Sequence, residues 1–274
     1  LAGDMRVKGF MVGGTAGRTT LNGEGLQHED GHSHLLAYPV PNLMAYDPAF
    51  AYEIAVIIRD GIRRMYVEQE DVFYYLTIEN ETYSMPAMPE GVEEGIVKGL
   101  YKFNQSKTKR AKLKAQLFGS GAIMNRVIEA QSILEEQFNV ATDVWSITSF
   151  KNLHRDALDI DRWNRMHPND DKKYSYLEKT LKDEKGVFVI ASDYVKALPE
   201  SIARWFPKAP VSLGTDGFGR SESREALRDF FEVDARFIVI GALSALAEEG
   251  KIEKTIVIKA MADFGIDPDK PNPV

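Results

Sequence analysis

The chain has 274 residues, with 34 Lys and Arg against 41 Asp and Glu, five His, no Cys, 44% hydrophobic and 27% charged residues, and a formal net charge of -7. This is the composition of an ordinary soluble globular protein, and an acidic chain without clustered Lys and Arg is a poor neutraliser of phosphates, which argues against nonspecific nucleic-acid binding. The absence of cysteine excludes a disulfide framework, a thiolate nucleophile and Cys-ligated metal, while no apolar run approaches the roughly 20 residues of a spanning helix and no signal-like segment opens the chain, so a cytoplasmic protein without a membrane partner is expected.

In chain order, Leu1 stands where a start Met is usual and is taken as a cut edge. Residues 13–34 contain six glycines and little apolar periodicity, which predicts a loop. Asp47-Pro48 predicts an N-cap followed by proline at the first helical position, and Phe50, Ile54, Ile57, Ile58, Ile62 and Met65 recur at helical spacing. Asp71–Ile78 is β-branched and aromatic and predicts a buried strand. Two prolines and Gly91 in Ser84–Gly91 interrupt regular structure, and the domain boundary is placed there, giving units 1–88 and 89–274. The basic run Lys107–Lys114 is mixed with small residues and reads as a solvated connection. Beyond it, strands at Leu113–Phe118, Val144–Ile147 and Gly186–Ala191 alternate with helices at Ala122–Phe138, around Leu153–Met166 and at Pro199–Trp205. Such alternation implies a parallel or mixed sheet covered by helices, an α/β fold. Asp234 and Gly250 would cap a helix through Leu243 and Leu246, although Phe237–Ile240 alone also reads as a strand; residues 267–274, with three prolines, form an irregular tail.

Three of the five histidines, His28, His32 and His34, fall in one glycine-rich stretch with Glu24, Glu29 and Asp30. Three readings stay open for it. A metal site has suitable donors, although Gly31 and Ser33 interrupt the helical spacing that two histidine ligands usually take. A proton-transfer and substrate-binding loop suits histidine, whose proton exchanges near neutral pH. A polar surface turn is the third. Gly13–Thr20 could hold a phosphate or carboxylate with backbone N–H groups and Arg18, but lacks the Gly-Lys-Ser/Thr ending of a Walker A loop; a tight structural turn explains it as well. Gly119-Ser120-Gly121 opens a helix after a strand, yet Met124 replaces the third glycine of a dinucleotide fingerprint and no acidic residue ends the next strand. Gly214–Arg224 reads as a polar turn before a helix, with Ser221 or Ser223 as cap.

The run Gly9–His34, and within it Gly23-Glu24-Gly25-Leu26-Gln27-His28, closely resembles the homodimeric bacterial type of pyruvate dehydrogenase, the thiamine diphosphate-dependent decarboxylase component of that complex. Tyr46–Glu53, Met85–Gly91, Thr148-Ser149-Phe150 and Leu213–Ser221 continue the resemblance, in order, over essentially the whole chain. It implies a transketolase-like architecture, with 1–88 as the end of the pyrimidine-binding domain and 89–274 as a transketolase C-terminal domain with a mixed, mostly parallel sheet. It implies a chain lacking the diphosphate-binding domain, its magnesium motif and the glutamate that activates the aminopyrimidine, hence inactive without the remainder of its polypeptide. The implied activity is decarboxylation of pyruvate on thiamine diphosphate and reductive acetylation of the lipoyl group of dihydrolipoyl acetyltransferase, in a homodimer. The family's active-site pair maps onto Glu24 and His28, and His34 onto a substrate-contacting histidine of the wider transketolase group; His32 is a substrate-binding candidate by proximity alone. The alternatives carried are an inactive dimerisation and assembly module and a histidine-loop metal hydrolase.

Overall fold

A computed structural model describes residues 1–108 and 111–274; Lys109 and Arg110, inside the basic run Lys107–Lys114, lie outside the described residues. The first part of the chain builds a parallel three-stranded sheet in the order β1-β3-β2, from β1 (Phe10–Gly14), β2 (Leu43–Tyr46) and β3 (Phe73–Ile78). The short helix α1 (Ser33–Ala37) precedes β2, and α2 (Ala51–Ile62) crosses from β2 to β3, ending in one wide turn over Arg63–Val67. The helical spacing seen in the sequence places Ile57 and Met65 against Tyr46, Tyr74 and Leu76 of the sheet. Asp47 does not cap α2, contrary to expectation. The helix begins at Ala51, and the carboxylate of Glu53 reaches back to accept from the backbone N–H groups of Ala49 and Phe50 (2.5 and 3.1 Å). This leaves Asp47 free for other partners.

After α3 (Glu93–Lys98), the chain forms a five-stranded sheet in the order β4-β6-β5-β7-β8. Its strands are β4 (Leu100–Asn104), β5 (Leu113–Gly119), β6 (Val140–Ile147), β7 (Val187–Ala191) and β8 (Val211–Leu213); only β4 runs antiparallel to its neighbour. The helices are α4 (Met124–Phe138), α5 (Phe150–Met166), α6 (Tyr176–Leu181), α7 (Ala197–Ala203), α8 (Arg224–Phe230), α9 (Ala235–Glu248) and α10 (Lys254–Asp263). Successive side chains of a strand point to opposite faces, so each central strand feeds two cores. Ala115, Leu117, Val187 and Val189 pack under α4 and α9, whereas Phe118, Phe188 and Ile190 pack under α5, α6 and α7. With both faces covered, near-continuous apolar strands are what a parallel sheet requires. Phe237–Ile240 is helical, because Asp234 caps the backbone N–H groups of Arg236 and Phe237 and the apolar run continues to Leu246.

The two sheets direct their carboxyl ends toward each other. The residues that follow the strands are Asp47 after β2, Glu79 after β3, Ser120 after β5, Thr148 after β6 and Ser192-Asp193 after β7. Backbone bonds join them directly: Asp47 N–H to the Thr148 carbonyl (2.8 Å) and Gly121 N–H to the Asp47 carbonyl (3.2 Å). The Ser149 hydroxyl adds a bond to the Ala45 carbonyl (2.6 Å).

Candidate active site

In parallel α/β sheets, ligands gather outside the carboxyl ends of strands, and the glycine- and histidine-rich segment lies there. Leaving β1, it passes Gly17, whose φ of +83° suits glycine and where a Cβ would overlap the Asp193 carboxylate. The buried Arg18 then donates to the carbonyls of Thr215 (2.7 Å) and Gly217. Arg228 donates to the Thr19 hydroxyl (3.1 Å), Arg224 to the Thr20 carbonyl (2.6 Å), and Arg220 N–H to the Glu29 carboxylate (2.7 Å). Residues 16–31 are thus clamped on the polar turn 214–228, so the two segments singled out separately in the sequence form one structure. Burial of Arg18 lowers its pKa, with Glu29 and Asp193 opposing the shift; burial raises that of Glu29.

At the crest of this clamp, Leu26–His28 makes a single 3-10 turn, with Glu24 half-buried just before it and His28 exposed. Asp30 accepts from the backbone N–H groups of His32 (3.1 Å) and Ser33 (2.9 Å), which starts α1 and leaves the His32 ring exposed. One turn on, His34 faces inward and is 4% exposed. Its ring packs against Tyr75 and Tyr194, with centroids 5.6 and 4.8 Å away, and its Nε2 lies 3.0 Å from the Thr77 hydroxyl. Burial lowers the His34 pKa, with Asp47 and Asp30 pulling the other way. Buried Lys151, on α5, holds the end of α1 by donating to the carbonyls of Ala37 (2.7 Å) and Val40 (2.6 Å).

Beneath His34 lies an acidic group that sequence reasoning missed. Asp47 Oδ1 accepts from Thr77 (2.6 Å) and Tyr194 (3.3 Å), while its Oδ2 is enclosed without a partner. Glu79 accepts from Ala122 N–H (3.0 Å), and Asp193 Oδ2 from Thr19 N–H (3.1 Å). Asp193 Oδ1 and the Ser120 hydroxyl are also enclosed and unpartnered. Gly121 allows this crowding: its φ is +48°, and a Cβ there would overlap the Glu79 carboxylate and come within 2.9 Å of Asp47. Burial, with Asp47 and Asp193 adding repulsion, pushes the Glu79 carboxyl well above its usual range. Burial likewise pushes Asp193 up to about 7, despite Arg228 and the Thr19 bonds. A signal existed in the sequence, since Asp47, Glu79 and Asp193 each closely follow a strand.

The structure therefore separates the sequence-predicted residues. Glu24, His28 and His32 sit on the outer part of the loop, His34 is turned into the interface, Asp30 accepts from backbone N–H groups, and Glu29 accepts one such bond on Oε2 while its Oε1 is enclosed without a partner. The metal-site reading of the loop is not favoured: among the described residues no three His, Asp or Glu side chains are grouped so as to hold a metal ion. A cavity of about 1040 Å³ elsewhere, lined by Asn42, Arg59, Arg64, Val72, Glu93 and Asn152, opens at the amino ends of β2 and β3 and does not reach this group.

Comparison with known proteins gives the setting. Residues 1–86 match the model of the pyruvate dehydrogenase E1 component middle domain, and residues 99–234 that of the transketolase-like C-terminal domain. The chain is 54% identical over 274 residues to the pyruvate dehydrogenase E1 component of Pseudomonas aeruginosa PAO1, covering 100% of this chain and 31% of the relative. It is 52% identical over 274 residues to that of Escherichia coli K12, covering 99% and 30%. The chain thus spans under a third of the length of these relatives. Among solved structures, transketolase from Campylobacter jejuni superposes with a TM-score of 0.64 at 19% identity over 89% of this chain and 32% of that one, a likeness of fold alone.

Proposed function

We propose a function from one premise: the chain belongs to the family of the pyruvate dehydrogenase E1 component. On this reading, residues 1–88 complete a pyrimidine-binding domain and 89–274 form the transketolase-like C-terminal domain. With the remainder of its polypeptide, in a cytoplasmic homodimer, the protein decarboxylates pyruvate and reductively acetylates the lipoyl group of dihydrolipoyl acetyltransferase. The observation that supports it is the loop itself. Glu24 and His28 stand on an outer turn whose base is fastened by the buried Arg18, Glu29 and Arg228, an arrangement that holds a proton-exchanging side chain steady while leaving its ring reachable.

Thiamine diphosphate, when bound, would supply the nucleophilic carbon for the decarboxylation. The residues here fit one end of that group and not the other. Exposed imidazoles on the loop suit its reacting end, and on this reading magnesium and the diphosphate are held by the remainder of the polypeptide, in keeping with there being no group of three His, Asp or Glu side chains able to hold a metal among the described residues. This chain's residues then handle charge and protons. His32 contacts the pyruvate carboxylate. As the lipoyl S–S bond breaks and one sulfur takes the acetyl group, His28 gives a proton to the other, with Glu24 as the second polar group of the same turn.

The test is His28→Ala in the full-length polypeptide, with cofactor and acetyltransferase supplied. Lipoyl acetylation should fall by about 10²- to 10⁴-fold, the usual scale of lost acid–base catalysis, while cofactor affinity and folding stay near wild type because the side chain is exposed. Unchanged turnover would remove His28 from the chemistry.

A further inference from the structure

We propose that Asp47 and Thr77 are positioning residues that hold His34 in one neutral tautomer, with the proton on Nε2 and Nδ1 left as a proton acceptor. The proposal rests on the reading above only for the reaction that this imidazole serves. A threonine hydroxyl has one proton to give. Two neighbours of Thr77 Oγ1 compete for it, the Asp47 carboxylate at 2.6 Å and the Tyr46 carbonyl at 3.2 Å. The carbonyl can only accept, and Asp47 Oδ1 also accepts from Tyr194, so in this arrangement the proton of Thr77 is spent. The contact at 3.0 Å to His34 is then satisfied only if Nε2–H donates. The opposite tautomer would set two lone pairs against each other in a site that is 4% exposed at His34 and 0% at Thr77, where an unmade hydrogen bond is costly.

The ring has little freedom to avoid this choice. Tyr75 and Tyr194 flank it, α1 is tied to α5 through Lys151, and Asp30 fixes the first turn of α1. Nδ1 makes no hydrogen bond among the described residues. It can take a proton from a donor above the loop while Nε2–H stays on Thr77. The resulting imidazolium is stabilised through Thr77 by Asp47, whose unpartnered Oδ2 leaves that carboxylate only partly neutralised by hydrogen bonds. An Asp-Thr-His relay of this kind does for His34 what a carboxylate does directly for many catalytic histidines.

The experiment is a long-range ¹H–¹⁵N spectrum of the 274-residue chain labelled with ¹⁵N-histidine, the His34 signals being assigned by their loss in His34→Gln. The wild type should show His34 almost wholly as the Nε2–H form. Thr77→Val should turn it into a tautomer mixture, and Thr77→Ser, which keeps the hydroxyl, should restore the single form. In the full-length enzyme, Thr77→Val should lower turnover by about 10- to 100-fold, the range found when a partner that orients an imidazole is lost, and Thr77→Ser should recover most of it. A wild-type spectrum with the proton on Nδ1 overturns the proposal and needs no variant to fold; so does an unchanged tautomer in Thr77→Val. Absence of lipoyl acetylation by the wild-type enzyme would instead sink the functional reading and leave the tautomer standing.

Discussion

Acidic side chains occupy the interface between the sheets in two places, Glu53 alone and the trio Asp47, Glu79 and Asp193, and they are completed differently. Glu53 is 0% exposed and has both oxygens filled: Oε1 by the hydroxyls of Tyr101 and Ser146 at 2.6 and 2.7 Å, Oε2 by the backbone N–H groups of Ala49 and Phe50. Its four donors come from α2's own start and from two strands of the other sheet. Asp47, Glu79 and Asp193 are gathered as tightly, yet two of their oxygens and the neighbouring Ser120 hydroxyl have no partner. A buried carboxylate whose hydrogen bonds are all made fastens parts of a fold together. One left incomplete costs stability, and such costs concentrate at functional sites. The closed group fastens the two sheets, and the open one leaves unpartnered acceptors beneath His34, where the proposed relay would draw on them.

Four experiments break or sharpen this contrast. Glu53→Ala has the largest expected effect, about 3–5 kcal/mol of unfolding free energy by denaturant titration, since it strands two hydroxyls and two N–H groups at once. A loss under about 1 kcal/mol would erase the distinction between the groups. Gly121→Ala should cost about 1–3 kcal/mol, because alanine is strained at this φ and its methyl would push Glu79 and Asp47 apart; a thermal melt equal to wild type would show that the open group is not crowded.

The third concerns Asp193. Its pKa is higher folded, at about 7, than the 3.8 of the free side chain, so between those values the folded chain holds a proton that the unfolded chain has released. Its contribution is fully present below the unfolded pKa and is lost as pH rises through about 7. Asp193→Asn should remove that part of the slope in denaturant titrations run at successive pH values, and an unchanged slope would dismiss the shift. The smallest effect is at Lys151, which burial and Arg155 lower to about 8. There the unfolded chain binds more protons above pH 8, so stability should rise from about 8 toward the ordinary lysine range. Lys151→Met should flatten that rise; a rise that persists would place its cause elsewhere.

Much of this was legible in the residues. The long buried elements declared themselves, α4 by its helical period and β3, β5 and β7 by apolar runs with turns on either side. The shorter ones did not. β8 is three residues long, and β4 carries Lys102 and Asn104, which find their partners only on distant parts of the chain. The glycine- and histidine-rich loop was conspicuous as composition, but which of its histidines turns inward depends on Thr77 and Asp30, and no local pattern states that. Asp47 is the clearest miss. Its place before Pro48 looked like a helix cap, and tertiary partners on β3 and after β7 claimed the side chain while Glu53 satisfied the helix.

The clamp on the loop also sets an order in time. Arg18 meets Thr215 across 197 residues, and Thr19 meets Arg228 across 209. At about 5–20 residues per second of synthesis, the loop waits roughly 10–40 s for the segment that shapes it. During that interval residues 16–31 have only part of their anchor, the bonds of Arg18 and Thr19 N–H to Asp193 and of Val195 N–H to the Gly31 carbonyl. A chain stopped just short of residue 214 would lack α9, which covers one face of the central strands, together with the arginine half of the clamp, so the last segment to be made completes the core and the loop at once.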